Sequence, residues 1–116
     1  MMQAHFSNCS EIRMGSPFQT CHLALEGEWI PPDLPEDDWV KVQGRSEDGR
    51  WVALARWAVA GNVPGFVIYL IDCRERKVTR SERFAGCCNR LIFEDELLTW
   101  HTYPDGDGFL VLPTER

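Results

Sequence analysis

From residue 39 onward the chain alternates short apolar runs with turn residues, at a spacing that suits strands rather than helices. Residues 39–42, 51–57, 66–73, 77–84, 91–93, 97–103 and 109–112 are rich in Val, Ile, Leu, Phe, Tyr and Trp, the residue types that fit a pleated, half-buried surface. The segments between them, 47–49, 61–65, 72–76, 86–89, 94–95 and 104–108, carry Gly, Asn, Asp and Pro, which adopt or impose turn conformations. The pattern predicts an all-β fold built as an antiparallel meander. Residues 51–57 and 66–73 should be neighbouring strands joined by the 61–65 loop. No segment after Trp39 repeats apolar positions at helical spacing with caps, so no substantial helix is expected there.

The two sides of these strands differ. Trp51, Ala53, Ala55 and Trp57 share one side of their strand, while Val52, Leu54 and Arg56 take the other. Residues 66–71 are apolar on both sides, so this strand must be covered twice. Residues 77–84 are mostly polar on both sides, as expected of an edge strand whose charges discourage pairing with other chains.

The first 38 residues are different in kind. Residues 1–25 alternate weakly around Phe18, Cys21, Leu23 and Leu25 and offer one or two further strands. Residues 26–38 contain six carboxylates, three prolines and no basic residue, which predicts an extended, polyproline-like connection. This acidic arm is flanked by Trp29 and Trp39. The chain is therefore read as one domain over residues 1–116, with an N-terminal segment (1–38) and a β-meander core (39–116).

Composition supports a single globular domain: 116 residues, of which 44% are hydrophobic and 26% charged, can bury a core without metals or disulfides. No apolar stretch approaches the roughly 20 residues that span a bilayer, and the first ten residues lack the charged and apolar regions of a leader. A cytoplasmic protein is expected on these grounds. Five cysteines, Cys9, Cys21, Cys73, Cys87 and Cys88, are an odd number, from which free, metal-free thiols in a reducing compartment are expected. Twelve basic against eighteen acidic residues give a net charge of −6, which opposes attraction to nucleic acid or anionic membranes and favours a basic protein partner.

Two hairpin-like segments echo each other. The run Trp51–Trp57, a Gly/Pro loop and then residues 66–70 is followed 45 and 43 residues later by residues 96–102, a Pro/Gly/Asp loop and residues 109–112. Ser46-Glu47-Asp48-Gly49-Arg50-Trp51-Val52-Ala53, followed by Val67-Ile68-Tyr69-Leu70-Ile71-Asp72, resembles the Ser-Pro-Asp-Gly-Arg and Ile-Tyr-X-X-Asp pattern of TolB-type β-propeller blades, with Glu47 in place of the usual Pro. The resemblance covers about a blade and a half, over residues 40–112. A closed propeller needs about four blades of some 40 residues. The chain should thus form a small sandwich or roll of blade-like strands, or be completed by oligomerisation. The resemblance implies a scaffold for protein binding and carries over no catalytic residue.

Candidate chemistry is sparse. Cys87-Cys88 is a vicinal pair within a predicted turn, where a redox role is conceivable. The set Cys9, Cys21, His22, Cys87 and Cys88 lacks a Cys-X-X-Cys knuckle for zinc. Asp105-Gly-Asp-Gly108 resembles the start of a calcium loop, but its twelfth position is Arg116 rather than Glu, so a hairpin loop is expected. His22 and His101 could serve as bases and Cys73, Cys87 or Cys88 as nucleophiles, but no elbow, phosphate loop or metalloprotease motif assembles them. No cofactor is expected. The charge pattern carries more: residues 74–90 are locally basic and the arm is acidic. Carboxylates beside indoles suit a basic protein, since charge steers the encounter and Trp supplies anchor area. The expected function is non-enzymatic protein binding through Trp29, Glu36, Asp37, Asp38 and Trp39, in the concrete form of an immunity or inhibitor protein that masks a basic partner such as a toxin. The alternatives are a small-ligand or carbohydrate receptor assembled by oligomerisation, and a Cys/His-dependent enzyme.

Overall fold

The computed structural model describes residues 2–12, 18–103 and 106–112. Among the described residues nine strands follow one another: β1 (Gln3–Glu11), β2 (Gln19–Glu26), β3 (Trp39–Arg45), β4 (Trp51–Trp57), β5 (Gly65–Asp72), β6 (Lys77–Ala85), β7 (Cys87–Glu94), β8 (Leu97–Tyr103) and β9 (Asp107–Val111). The fold is all-β, an antiparallel meander in two sheets, β1 to β6 in sequence order and β7-β8-β9. β4 and β5 pair over their whole length, from Trp51↔Asp72 to Trp57↔Phe66. Their connection contains a tight turn of its own: Gly61 and Asn62 both have positive φ (54° and 64°), and Ala60 and Val63 exchange two backbone hydrogen bonds. That is the turn whose twist matches a hairpin.

The alternation along β4 becomes two cores. Trp51, Ala53, Ala55 and Trp57 join Phe66, Ile68 and Leu70 against Cys88, Leu91, Leu98 and Trp100 of the small sheet. Val52, Leu54, Tyr69 and Ile71 on the opposite face meet Met2, Ala4, Leu23 and Trp39. The central strands are thus covered on both sides, as β5's two-sided apolar pattern requires. The second cover forms because β2 pairs with β3 at Thr20↔Val40 and Cys21↔Trp39 and the β1–β2 hairpin then folds across the sheet. β6 is the outer strand and is mostly exposed. Gly44 of β3 lets the two sheets touch: a Cβ there would stand 2.7 Å from the Leu91 carbonyl oxygen.

Two expectations need correction. Cys9 and Cys21 form a disulfide, and Cys73, Cys87 and Cys88 remain thiols. An odd count says nothing about two cysteines that a hairpin brings face to face. Here the register shifts between Ser7 and Ser10, with Asn8 at φ 50°, so that two β1 residues, Asn8 and Cys9, oppose the single Cys21 in a β-bulge. Second, residues 86–89 are not a turn, because β7 begins at Cys87. Gly86 alone, at φ 104°, breaks the path where the chain leaves one sheet for the other, and both cysteines are buried in the main core. The one or two strands expected of residues 1–25 are two, β1 and β2. Pro104 and Asp105 of the proposed hairpin loop lie outside the described residues.

Candidate functional site

The acidic arm is held by its own backbone. Beyond Cys21 the Leu23 amide has left β3 and donates instead to the Glu36 carbonyl at 2.9 Å. The Trp57 amide donates to the Asp38 carbonyl at 2.8 Å, and the Arg56 Nε to the Asp37 carbonyl at 2.9 Å. The Trp39 indole N–H closes back on the Pro35 carbonyl at 2.8 Å. A polyproline-like segment has no partner strand, so its carbonyls are open to these donors, and the strand amides that would otherwise be orphaned are satisfied.

The structure separates the predicted site residues into two groups. Glu36, Asp37 and Asp38 are exposed. The Asp37 carboxylate lies 2.9 Å from His22 Nε2 and that of Asp38 lies 3.6 Å from Arg56 Nη2; both side chains keep about 60% of their surface (62% and 61%) in water. Such exposed pairs contribute little to stability, and the arm stays acidic. Trp39, by contrast, is fully buried, with its ring 5.0 Å from that of Tyr69. Trp29 is partly buried against the second core beside Leu34. The two indoles fasten the arm and do not present it. The apolar residue the arm shows to solvent is Ile30, 45% exposed. Its position in a run with no strand alternation left it unmarked in the sequence. The basic strand β6 sits at the far edge of the large sheet, so the arm's carboxylates meet His22 and Arg56 instead.

The residues of the blade-like motif build a turn and an ion pair. The Ser46 hydroxyl meets the Asp48 carboxylate at 2.7 Å, which also accepts the Arg50 amide at 3.0 Å; these two bonds hold the Asp48 carboxyl below its ordinary pKa. Arg50 clasps Asp72 with Nε to Oδ1 at 3.0 Å and Nη2 to Oδ2 at 2.9 Å, and its guanidinium lies over the Trp51 ring. Burial alone would raise the Asp72 pKa, but the Arg50 bonds and the amides of Glu75 and Arg74 outweigh it, so the carboxyl is held below its ordinary value. The pair ties the start of β4 to the end of β5, which is a structural task.

Two of the three thiols sit where burial works against nucleophilic chemistry. Burial pushes the Cys88 thiol up to about 12, and burial with the neighbouring Asp72 raises that of Cys73; the thiolate is the nucleophile, so both shifts disfavour the reactive form. His101 Nδ1 is 2.7 Å from Asp107 Oδ1 on the outer face of the small sheet, while Cys88 faces the core on the inner one. Four of the five tryptophans, Trp39, Trp51, Trp57 and Trp100, are buried, which leaves few indole faces for a sugar. No protein-family model, no curated protein and no solved structure matches the chain.

Proposed function

We propose that the chain is a non-enzymatic protein-binding domain whose acidic arm engages a basic protein partner. The observation that carries this reading is the arm itself, with a backbone fixed by hydrogen bonds to β2 and β4 and carboxylates that nevertheless point into water. A fixed, proline-rich segment loses little entropy on binding, and a cluster of like charges on a protein of net charge −6 attracts a basic surface before contact. Glu36, Asp37 and Asp38 supply the charge, Ile30 an apolar contact, and Trp29 and Trp39 the support beneath. Its concrete form is an inhibitor that masks a basic cleft, as an immunity protein masks a toxin.

The test starts from a basic protein retained by the wild-type chain from its native source. The triple substitution Glu36→Gln, Asp37→Asn, Asp38→Asn should then slow association by about tenfold at low salt and by much less at high salt, because exposed charges act through a screened field. Circular dichroism would show that the variant is folded. An unchanged association rate in the folded variant would overturn the proposal.

A further inference from the structure

The small sheet carries a second surface that the acidic arm does not use. Its registers, Arg90↔His101, Ile92↔Thr99 and Glu94↔Leu97 between β7 and β8, and His101↔Asp107, Thr99↔Phe109 and Leu97↔Val111 between β8 and β9, arrange nine residues in three rows. Leu91, Leu98 and Trp100 alternate with them and fill the core, so these nine face outward. The middle row, Ile92, Thr99 and Phe109, and two of the next, Leu97 and Val111, are apolar or nearly so, with Phe109 68% and Val111 60% exposed. Among the described residues, four of the ten large exposed apolar side chains, Ile92, Leu97, Phe109 and Val111, lie together on this one face, a concentration that marks a contact surface rather than scattered exposure. The ends of the face differ in charge. Arg90 and His101 stand at one end, with Asp107 on His101, and exposed Glu94, Asp95 and Glu96 stand at the other.

Along β7 the face runs from Arg90 through Ile92 to Glu94, an order that is complementary to itself when reversed. We propose that this outer face is the contact of a two-fold dimer of this chain, with the two small sheets packed face to face and their strands antiparallel. Row lies on reversed row, so Arg90 of each copy meets the Glu94 end of the other, and Ile92 and Phe109 meet their counterparts. The face lies on the opposite side of the large sheet from the arm, whose Trp29 and Leu34 pack on the second core, so the arms stay open. With strands about 4.8 Å apart and side chains on one face about 6.8 Å apart, the nine-residue patch covers roughly 300 Å² per copy. That is less than a stable dimer buries, so the dimer is expected to be weak and to form only at high concentration.

Sedimentation velocity across a wide concentration range tests this. The wild-type chain should move from 13.4 kDa toward twice that mass. Phe109→Ser should weaken the dimer about tenfold or more, as removal of an aromatic anchor does. Arg90→Glu or Glu94→Arg alone should weaken it similarly by opposing like charges, and the double variant Arg90→Glu/Glu94→Arg should restore it. Mixing the two single variants should also restore it, because each then meets its opposite. All three residues are at the surface, and thermal melts would show that the variants fold. A monomer at every concentration would overturn the proposal. So would a dimer indifferent to Phe109→Ser and the charge exchanges, since it would place the contact elsewhere, for example at the β9 edge.

Discussion

Replacing Trp39 by phenylalanine separates the support of the arm from its surface. The indole is fully buried, packs against Tyr69 and donates to the Pro35 carbonyl at 2.8 Å. Phenylalanine keeps most of the ring but removes the donor, at a cost of about 1 kcal/mol, and leaves a void of roughly 40 Å³, worth about 1 kcal/mol at about 24 cal/mol per Å³. The expected loss is therefore about 2 kcal/mol. For a domain of this size that lowers the midpoint of thermal unfolding by about 8 °C, and the alanine variant should lose about 3–5 kcal/mol. Urea titration followed by far-UV circular dichroism measures the first quantity. Hydrogen exchange measures a second: the Leu23 and Trp57 amides are protected by the arm's carbonyls, so they should exchange faster in the variant than other amides of β2 and β4. Wild-type stability in Trp39→Phe together with unchanged protection at Leu23 and Trp57 would refute the claim that this indole fastens the arm.

Asp72→Asn should cost about 2–3 kcal/mol near neutrality, since it takes the charge from a bidentate, largely buried pair with Arg50. Because the folded pKa of Asp72 is held below its unfolded value, its stabilisation is present above the unfolded pKa, about 4, and is lost as pH falls through the folded pKa; unfolding titrations below about pH 4 should fall less steeply with acid in the variant. Reduction of Cys9–Cys21, whose cysteines are 12 residues apart, should lower stability by about 2–3 kcal/mol. Thiol labelling of the unfolded, unreduced protein should count three thiols, those of Cys73, Cys87 and Cys88, rather than five.

The strands from β3 onward were legible because an antiparallel strand with one face in a core alternates, and β4 does so from Trp51 to Trp57. β5 was legible for the opposite reason, being apolar on both sides and therefore in need of two covers. β1 left no such trace. Only Ala4 among its residues is fully buried, and the bulge at Asn8 and Cys9 breaks the period of two. The start of β7 was obscured by the same device, since its register shifts between Cys88 and Arg90 and Gly86 and Asn89 bracket the cysteines with turn-forming residues. At the candidate site the carboxylates could be read because they are contiguous. The role of the indoles could not, because whether Trp39 or Ile30 faces water depends on which side of the arm docks, and no local pattern in a strandless segment encodes that choice.

The distribution of charge over the sheet edges gives the two surfaces their division of labour. β6 carries Lys77, Arg80, Glu82 and Arg83 along an exposed edge, which opposes pairing with another chain, and β1 is bent by its bulge and stapled to β2 through Cys9 and Cys21. β9 has neither protection: from Gly108 to Val111 it has no charge and its large side chains are exposed. An apolar, unguarded strand is a hazard unless something covers it, whereas the acidic arm, on the far side of the large sheet, is soluble in its own right. If the small sheets pack together and the arms bind, the dimer carries two arms pointing away from the contact. A partner with one basic site would then bind the dimer and the Phe109→Ser monomer alike, while a partner with two sites at a matching span would favour the dimer through effective concentration alone. Binding strength measured with both kinds of partner therefore separates the work of the arm from that of the sheet.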